Sequence, residues 1–324
     1  DGVIDILNYV PQPRTICMDP ERVNALLGTD MERVCRKAEA KVGLPVVPCY
    51  MYALTREGRK PPMVDVRRAI YSLLERDDRD SRTVNILGHF APLRDTCELY
   101  GVLRQLGIRR VNEISRCRDF AEYKAMSKAN FNVILHPEAR LAAQDMERRL
   151  GIPSIELTRL YQIDKIRSQY QAFAGALGGA ADDTVWHDEA AADVEKAAKQ
   201  YGGTTIAIGE MQNGNAFEMA LALTQYGFAV REIYASVSPY DFAYIRRLEA
   251  VSPDTEVYSN LSPSMLYYEG GDHPVELTIG KDAAYYHDDA AHVFWDEEIQ
   301  PFGYDGLREL LRQISAALEG RSAR

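Results

Sequence analysis

The chain has 324 residues, of which 46% are hydrophobic and 27% are charged, and this length predicts two or three globular domains. Its formal net charge of −10, without a long run of Lys or Arg, excludes a nucleic-acid backbone as the main partner. No apolar stretch reaches the roughly 18 residues of a membrane span and the printed start lacks a secretory signal, so we expect a cytoplasmic protein without a membrane partner. The 5 cysteines lack CxxC spacing, which disfavours a disulfide framework and a self-contained zinc site.

One unit recurs along the sequence: a short apolar strand, a turn with Gly or Pro, and an amphipathic helix. This pattern is typical of parallel sheets that helices cover on both faces. We therefore expect an α/β protein with repeated Rossmann-like or flavodoxin-like domains, whose parallel sheets are flanked by helices around a central cleft. The expected blocks are residues 1–80, 81–165 and 166–324.

The first block is predicted to contain strands at 14–17 and 44–49, helices at 29–42 and 64–75, and a charged linker at 77–81. The second block is predicted to contain strands at 83–88, 110–114 and 131–135, helices at 94–106 and 139–150, and a short helix at 121–126. A glycine-interrupted helical stretch at 162–200 leads to the strands and helices of the third block. Its strands are predicted at 204–209, 229–234, 256–258 and 275–280, and its helices at 215–226, 240–250 and 306–318. The second and third blocks share one layout, which is typical of repeated domains.

Four side chains end or directly follow predicted strands, at the edge where open α/β sheets bind ligands: Cys17, Cys49, His89 and His136. Cys17 also precedes a helix, whose dipole favours a thiolate, although a buried small hydrophobe is the commoner role of such a cysteine. His136 is expected to be a proton donor or an axial metal ligand, or else a helix-start residue that satisfies backbone groups before Pro137. For Cys49 and His89, a structural role is the commoner alternative.

Gly88 and Gly209 each follow a strand and precede a helix, an arrangement that can cradle a phosphate. Neither belongs to a GxGxxG or GxxxxGK[ST] motif, so tight turns are the favoured interpretation. Any nucleotide-driven energy input then has to come from a separate partner. Nearer the carboxyl terminus, His287 and His292 are predicted to lie on the helix after Gly280, on a solvated face rather than at a metal.

Four segments resemble the component 1 family of nitrogenase and nitrogenase-like oxidoreductases, in matching order and spacing over most of the chain. They are 15–17 with 27–30 and the Gly-Leu-Pro-Val-Val-Pro run at 43–48, 84–88 with its helix to 107, 129–136 running to Gly-Ile-Pro at 151–153, and 276–280 followed by Gly-Tyr-Asp-Gly at 303–306. The resemblance implies Rossmann-like domains around a central cleft. It also implies a homodimer or heterodimer with a homologous subunit, which receives electrons from a separate ATP-hydrolysing iron–sulfur reductase.

In this family, the counterpart of Cys17 ligates an iron–sulfur cluster at the subunit interface, so a [4Fe–4S] cluster is the expected cofactor. Cys49, at another strand end, is a second candidate for cofactor binding. Thiolates hold such clusters, and sharing a cluster between chains explains why one chain need not carry four spaced cysteines. Two further cluster cysteines of the family would lie upstream of Asp1. Either the printed sequence omits an amino-terminal segment, or this member has lost its cluster.

The resemblance places His136 at, or within one residue of, the cysteine that holds the active-site metal cofactor of nitrogenase. It places Phe302 at the cofactor-binding histidine. We therefore expect no molybdenum–iron cofactor and no true dinitrogen reductase.

The preferred hypothesis is a catalytic oxidoreductase subunit, in which His136 and His89 act on an unsaturated or metal-bearing small molecule; tetrapyrrole reduction is known in the family. A second hypothesis is a non-catalytic scaffold on which a metal cluster or cofactor is assembled and handed on. A third is a cluster-free small-molecule-binding protein that keeps only the fold. Turnover discriminates between the first two hypotheses, and iron content identifies the third.

Overall fold

The computed structural model of the chain describes residues 16–18, 28–50, 62–210, 214–270, 273–295 and 301–322. Within these ranges the strands are β1 (Ile16–Met18), β2 (Val46–Pro48), β3 (Asp80–Leu87), β4 (Arg110–Glu113), β5 (Ala129–Ile134), β6 (Ser154–Glu156), β7 (Thr205–Gly209), β8 (Ala229–Tyr234), β9 (Glu256–Tyr258), β10 (Leu277–Ile279) and β11 (Ala291–Val293). The helices are α1 (Met31–Val42), α2 (Pro62–Tyr71), α3 (Leu99–Gln105), α4 (Phe120–Lys124), α5 (Arg140–Leu150), α6 (Ile163–Ala176), α7 (Thr184–Tyr201), α8 (Ala216–Gln225), α9 (Phe242–Val251), α10 (Lys281–Tyr286) and α11 (Gly303–Ser322).

The chain divides into two compact units. Unit 1 extends to Phe90 and includes Ile108–Thr158, whereas unit 2 comprises Ala91–Gly107 and the chain from Arg159 onward. Three sheets are described, and each lies in one of the blocks expected from the sequence, with β3 starting at the boundary residue Asp80. Whether those blocks are independent domains stays a prediction. None of the described helices is long and apolar enough to cross a bilayer.

Unit 1 contains a two-stranded sheet, β1-β2, and a four-stranded sheet with the order β4-β3-β5-β6. All of these strand pairs are parallel. The last five residues of β3 are buried without alternation, as in a parallel sheet covered on both faces. The expected α/β class, with parallel sheets flanked by helices, is confirmed.

A ladder of asparagines fixes the strand register in the four-stranded sheet. Asn85 on β3 pairs in register with Asn112 on β4 and Asn132 on β5. The Asn112 side-chain amide donates to Asn85 Oδ1 at 3.0 Å, and the Asn85 amide donates to Asn132 Oδ1 at 2.9 Å. A shift of one residue would leave buried amides without these partners, so the ladder holds the ends of β3 and β5 level.

Unit 2 contains a five-stranded parallel sheet with the order β11-β10-β7-β8-β9. Helix α8 is buried from Ala216 to Leu223, which places it in the core of this unit. Helix α11 packs against α7 and β11. Trp295 and Phe302, two aromatic residues that precede α11 in the chain, are fully buried.

The region after Gly280 differs from the sequence prediction. Helix α10 ends at Tyr286, and His292 lies on strand β11, so the prediction that His287 and His292 share one helix is wrong. Asp288 and Asp289 follow α10, where carboxylates oppose the dipole of a helix carboxyl terminus. The run at 291–295 contains Val, Phe and Trp, which favour a strand.

Candidate functional site

The two predicted histidines meet at the carboxyl edge of the four-stranded sheet. Counted from β3, the strand order is 2-1-3-4, so the order reverses between β3 and β5. Open α/β sheets bind ligands at this kind of topological switch point. His89 follows β3 and His136 follows β5, and their ring centroids are 5.1 Å apart with an interplanar angle of 74°. The expectation that both histidines reach one edge therefore has a structural counterpart, although a catalytic role stays a prediction.

Gly88 allows this close approach. Its φ of 140° is rare for residues with a side chain, and a Cβ built on it would lie 2.7 Å from the backbone nitrogen of His136. The same Cβ would lie 3.0 Å from the Cβ of His136. Gly88 thus sets the spacing between the two strand ends, as a tight turn of the kind that the sequence favoured.

An ion pair that the sequence did not reveal lies beside the histidines. Arg67 on α2 donates from Nε to the carbonyl of Gly88 at 2.8 Å and from Nη1 to Glu138 Oε2 at 2.5 Å. Its guanidinium carbon lies 4.9 Å from the ring centroid of Phe90, within cation–π range. Burial lowers the pKa of Arg67, and the charge of Glu138 opposes that effect. The edge therefore contains a buried cation whose charge one partly buried carboxylate balances.

The hydrogen bonding of His136 assigns its tautomer. Its Nδ1 accepts from the backbone N–H of Glu138 at 3.3 Å, and His136 is the N-cap of the short 3₁₀ turn Pro137–Ala139. The helix-start role that the sequence analysis left open is therefore present. A neutral imidazole that accepts at Nδ1 carries its proton on Nε2. His136 accordingly presents an N–H donor rather than a lone pair at Nε2.

The two predicted cysteines lie near one another in the chain's first sheet. The backbone of Cys17 on β1 pairs with Val47, and its side chain is outside the described residues. Cys49 follows β2, donates its backbone N–H to the carbonyl of Met18 at 2.8 Å, and is 5% exposed. Cys17 is thus the middle residue of β1, whereas Cys49 directly follows β2. Their roles as cofactor ligands stay predictions.

Across the described ranges, no group of three His, Cys, Asp or Glu side chains is arranged to hold a metal ion. A cavity of about 780 Å³ is present in unit 2, along α7 and α11. Ion pairs connect its charged walls, including Arg308 with Asp193 at 2.7 Å and Arg94 with Glu309 at 2.9 Å. None of the four predicted site residues lines this cavity.

The Gly-Tyr-Asp-Gly motif has a structural explanation. The buried carboxylate of Glu98 accepts from the backbone N–H groups of Tyr304 at 2.6 Å and Asp305 at 3.0 Å, in the first turn of α11. It also accepts from the hydroxyl of Tyr170 at 2.6 Å. A Cβ on Gly303 would overlap Glu98, so only glycine fits there. This motif stabilises a helix start.

The model of the family "nitrogenase component 1 type oxidoreductase" matches residues 8–319. The chain belongs to this family. The resemblance found in the sequence is thereby confirmed. The solved structure named nitrogenase Cp1 at pH 6.5 has the same fold: it superposes with a TM-score of 0.74 over 99% of this chain and 79% of that chain, at 13% identity.

Curated relatives of this component 1-type chain include two proteins named nitrogenase iron-molybdenum cofactor biosynthesis protein NifE. The one from Sinorhizobium fredii is 25% identical over 95% of this chain and 65% of its own length. The one from Rhizobium meliloti is 24% identical over 96% of this chain and 69% of its own length. The chain therefore spans about two thirds of the length of the curated relatives that it matches.

Proposed function

We propose that this component 1-type chain is a scaffold subunit that holds an anionic metal–sulfur cofactor precursor as cargo. His89 and His136 would contact that cargo. The observation that carries the proposal is the imidazole pair, with centroids 5.1 Å apart, at the switch point of the four-stranded sheet. The names of the NifE relatives, which specify cofactor biosynthesis, support the same assignment.

The chemistry of this edge suits an anion that is bound and released. The tautomer of His136 presents an N–H donor, and hydrogen bonds to the sulfurs of a cluster are a recognised way for a protein to tune it. Arg67 neutralises Glu138 at the same edge, so this carboxylate does not repel a bound anion. Hydrogen bonds from imidazoles exchange more readily than thiolate–iron bonds, so such a site can pass its cargo on.

The iron–sulfur cluster and the protein partners are proposed independently of the cargo site. Cys17 would ligate a [4Fe–4S] cluster at an interface with a homologous subunit, and Cys49 would contact it. An ATP-hydrolysing iron–sulfur reductase would supply electrons. The positions of Cys17 on β1 and of Cys49 directly after the adjacent parallel strand β2 support this reading.

Metal analysis of the native complex tests the cargo role. The complex is purified without oxygen from its own host, and its metal and sulfide contents are measured. We expect the double variant His89→Ala/His136→Ala to lose cargo metal while its circular dichroism and unfolding midpoint stay close to those of the native chain. His273→Ala is the matched control, because this histidine belongs to unit 2, where it pairs with Glu256 at 3.5 Å. Full metal retention in the double variant would refute the proposal.

The second candidate function is a catalytic oxidoreductase subunit, which the name of the family favours. Its substrate would be an unsaturated or metal-bearing small molecule such as a tetrapyrrole. Reductant consumption that depends on both ATP and substrate, in the presence of the partner reductase, would select this candidate over the scaffold. In both candidates the Cys17→Ser variant should lose iron, and unchanged iron would remove Cys17 from the ligand set.

A further inference from the structure

Three polar side chains of unit 2 meet at the carboxyl end of β8. Glu232 and Tyr234 are two residues apart on this strand and so face the same side, and His287 directly follows α10. His287 Nε2 lies 2.5 Å from Glu232 Oε2, and the Tyr234 hydroxyl lies 2.6 Å from the same oxygen. The hydroxyl and Nε2 are 3.4 Å apart. One carboxylate oxygen, one phenol and one imidazole nitrogen thus converge.

The second carboxylate oxygen of Glu232 is the unexplained atom in this cluster. Glu232 is fully buried, and its Oε1 has no hydrogen-bond partner among the residues that the structure describes. A buried carboxylate oxygen without a donor is costly, so natural proteins rarely leave one. A bound cation would satisfy this oxygen.

A second phenol completes the donor set. Burial raises the pKa of Tyr234, and the neighbouring Glu232 and Tyr268 add to that effect. The ring centroids of the two tyrosines are 6.3 Å apart. The available donors are therefore a carboxylate, an imidazole and two phenols.

We propose that Glu232, Tyr234, His287 and Tyr268 form a binding site for ferric iron. Carboxylate and phenolate oxygens are hard donors that suit a highly charged ion, and imidazole is a common ligand of iron. Adjacent donors in an octahedral site with bonds of about 2.1 Å are about 3.0 Å apart. The observed separations of 2.5, 2.6 and 3.4 Å, which join Glu232 Oε2, the Tyr234 hydroxyl and His287 Nε2, surround that value. An ion that Glu232 binds through both oxygens would therefore also satisfy Oε1 after a small opening of the cluster.

The surroundings hold the donors in place. The ring of Tyr234 stacks between Tyr258, at 5.0 Å, and Tyr286, at 4.7 Å, each with an interplanar angle of 18°. Such packing fixes the direction of the phenol oxygen. The side chain of His287 is 7% exposed and marks the point where the cluster approaches the surface. On binding, each coordinated phenol releases its proton to water, and no electron transfer is involved.

Titration of the anaerobically purified full chain with ferric nitrilotriacetate tests the site. We expect one equivalent of retained ferric iron, proton release, and resonance-enhanced Raman bands of an iron-bound phenolate, which an iron–sulfur cluster does not produce. Tyr234→Phe should abolish the phenolate bands and lower the affinity at least 100-fold. Tyr258→Phe is the matched control, because its hydroxyl instead bonds Glu256 at 2.6 Å, and it should behave like the native chain.

A folded native chain that retains no ferric iron and shows no phenolate bands would overturn the site. Unchanged bands in Tyr234→Phe would also overturn it. His89→Ala/His136→Ala should bind ferric iron normally, so this inference and the cargo proposal can fail separately.

Discussion

The carboxyl edges of the two large sheets use a carboxylate and a histidine in different ways. In unit 1 the polar groups lie at the switch point between β3 and β5, and Arg67 balances Glu138. In unit 2 the switch point lies between β7 and β10, where a Cβ on Gly280 would touch the Cα of Gly209 at 3.4 Å. At that edge Asn260 joins the carboxylates of Glu210 and Asp282, at 3.2 and 2.9 Å, and the cluster of Glu232 lies on β8.

The difference lies in the partner of each carboxylate. Arg67 pairs with Glu138 and neutralises its negative charge, so the neighbouring imidazoles need not do so. Among the described residues, Glu232 receives its hydrogen bonds from His287 and Tyr234, an imidazole and a phenol rather than a guanidinium. A carboxylate neutralised by arginine leaves its site suited to anions, whereas one held by titratable donors suits a cation.

The largest expected effect comes from closing the gap at the unit 1 edge. In Gly88→Ala the new Cβ would collide with the backbone of His136, and a positive φ adds strain, so we expect a loss of about 3 to 4 kcal/mol. Urea unfolding measures this loss. Gly107→Ala is the control, since φ is 84° and no heavy atom lies within 4 Å of its Cβ, and it should cost about 1 kcal/mol. Equal losses would show that the strand ends are not in close contact.

Glu218 is another buried carboxylate of unit 2, but its partners are backbone N–H groups and not a phenol and an imidazole. Glu218 accepts from the backbone N–H of Tyr161 at 2.8 Å and of Gln162 at 3.1 Å, just before α6. Burial raises the pKa of Glu218 from 4.5 to about 7, although these hydrogen bonds oppose the change.

Because the native state holds this proton more tightly than the unfolded state, stability should fall as the pH rises from about 4.5 to about 7. The expected fall is up to about 3 kcal/mol. Urea unfolding at several pH values measures it. Glu218→Gln should flatten the dependence in this window, and an unchanged slope in that variant would assign it to other groups.

The carboxyl edges of the two large sheets could be predicted from the sequence, but their ion pairs could not. Strand β8 was predicted with its observed bounds, and His89 and His136 were placed at strand ends, because apolar runs and glycines are local signals. The Arg67–Glu138 pair joins residues 71 positions apart, and the Glu232–His287 pair joins residues 55 apart. No periodicity encodes such pairs, since they depend on which helices pack together. The misplacement of His292 had a local cause, a short strand that resembled the end of a helix.

The ion pair between Arg67 and Glu138 distinguishes the unit 1 edge from that of unit 2. Arg67→Met leaves Glu138 without its cation and removes the donor to the carbonyl of Gly88. A double-mutant cycle with Glu138→Gln should give a coupling energy of about 2 kcal/mol, because the pair is largely buried. Urea unfolding of the four proteins provides the measurement. Additive effects would mean that Arg67 acts through Gly88 alone.

The smallest expected effect is the difference in stability between two variants of unit 2, each of which lacks the hydroxyl of one of two stacked tyrosines. Tyr234→Phe removes a buried hydrogen bond to Glu232, whereas Tyr258→Phe removes one to the half-exposed Glu256. Because a hydrogen bond to a buried charge contributes more than one at the surface, Tyr234→Phe should cost about 1.5 kcal/mol more. Thermal unfolding of both variants in chelator measures the difference. Added ferric iron should widen it, since only the chain with Tyr234 gains stability from the bound ion. If iron leaves the stability difference between the two variants unchanged, the cluster is only a hydrogen-bonded part of the core.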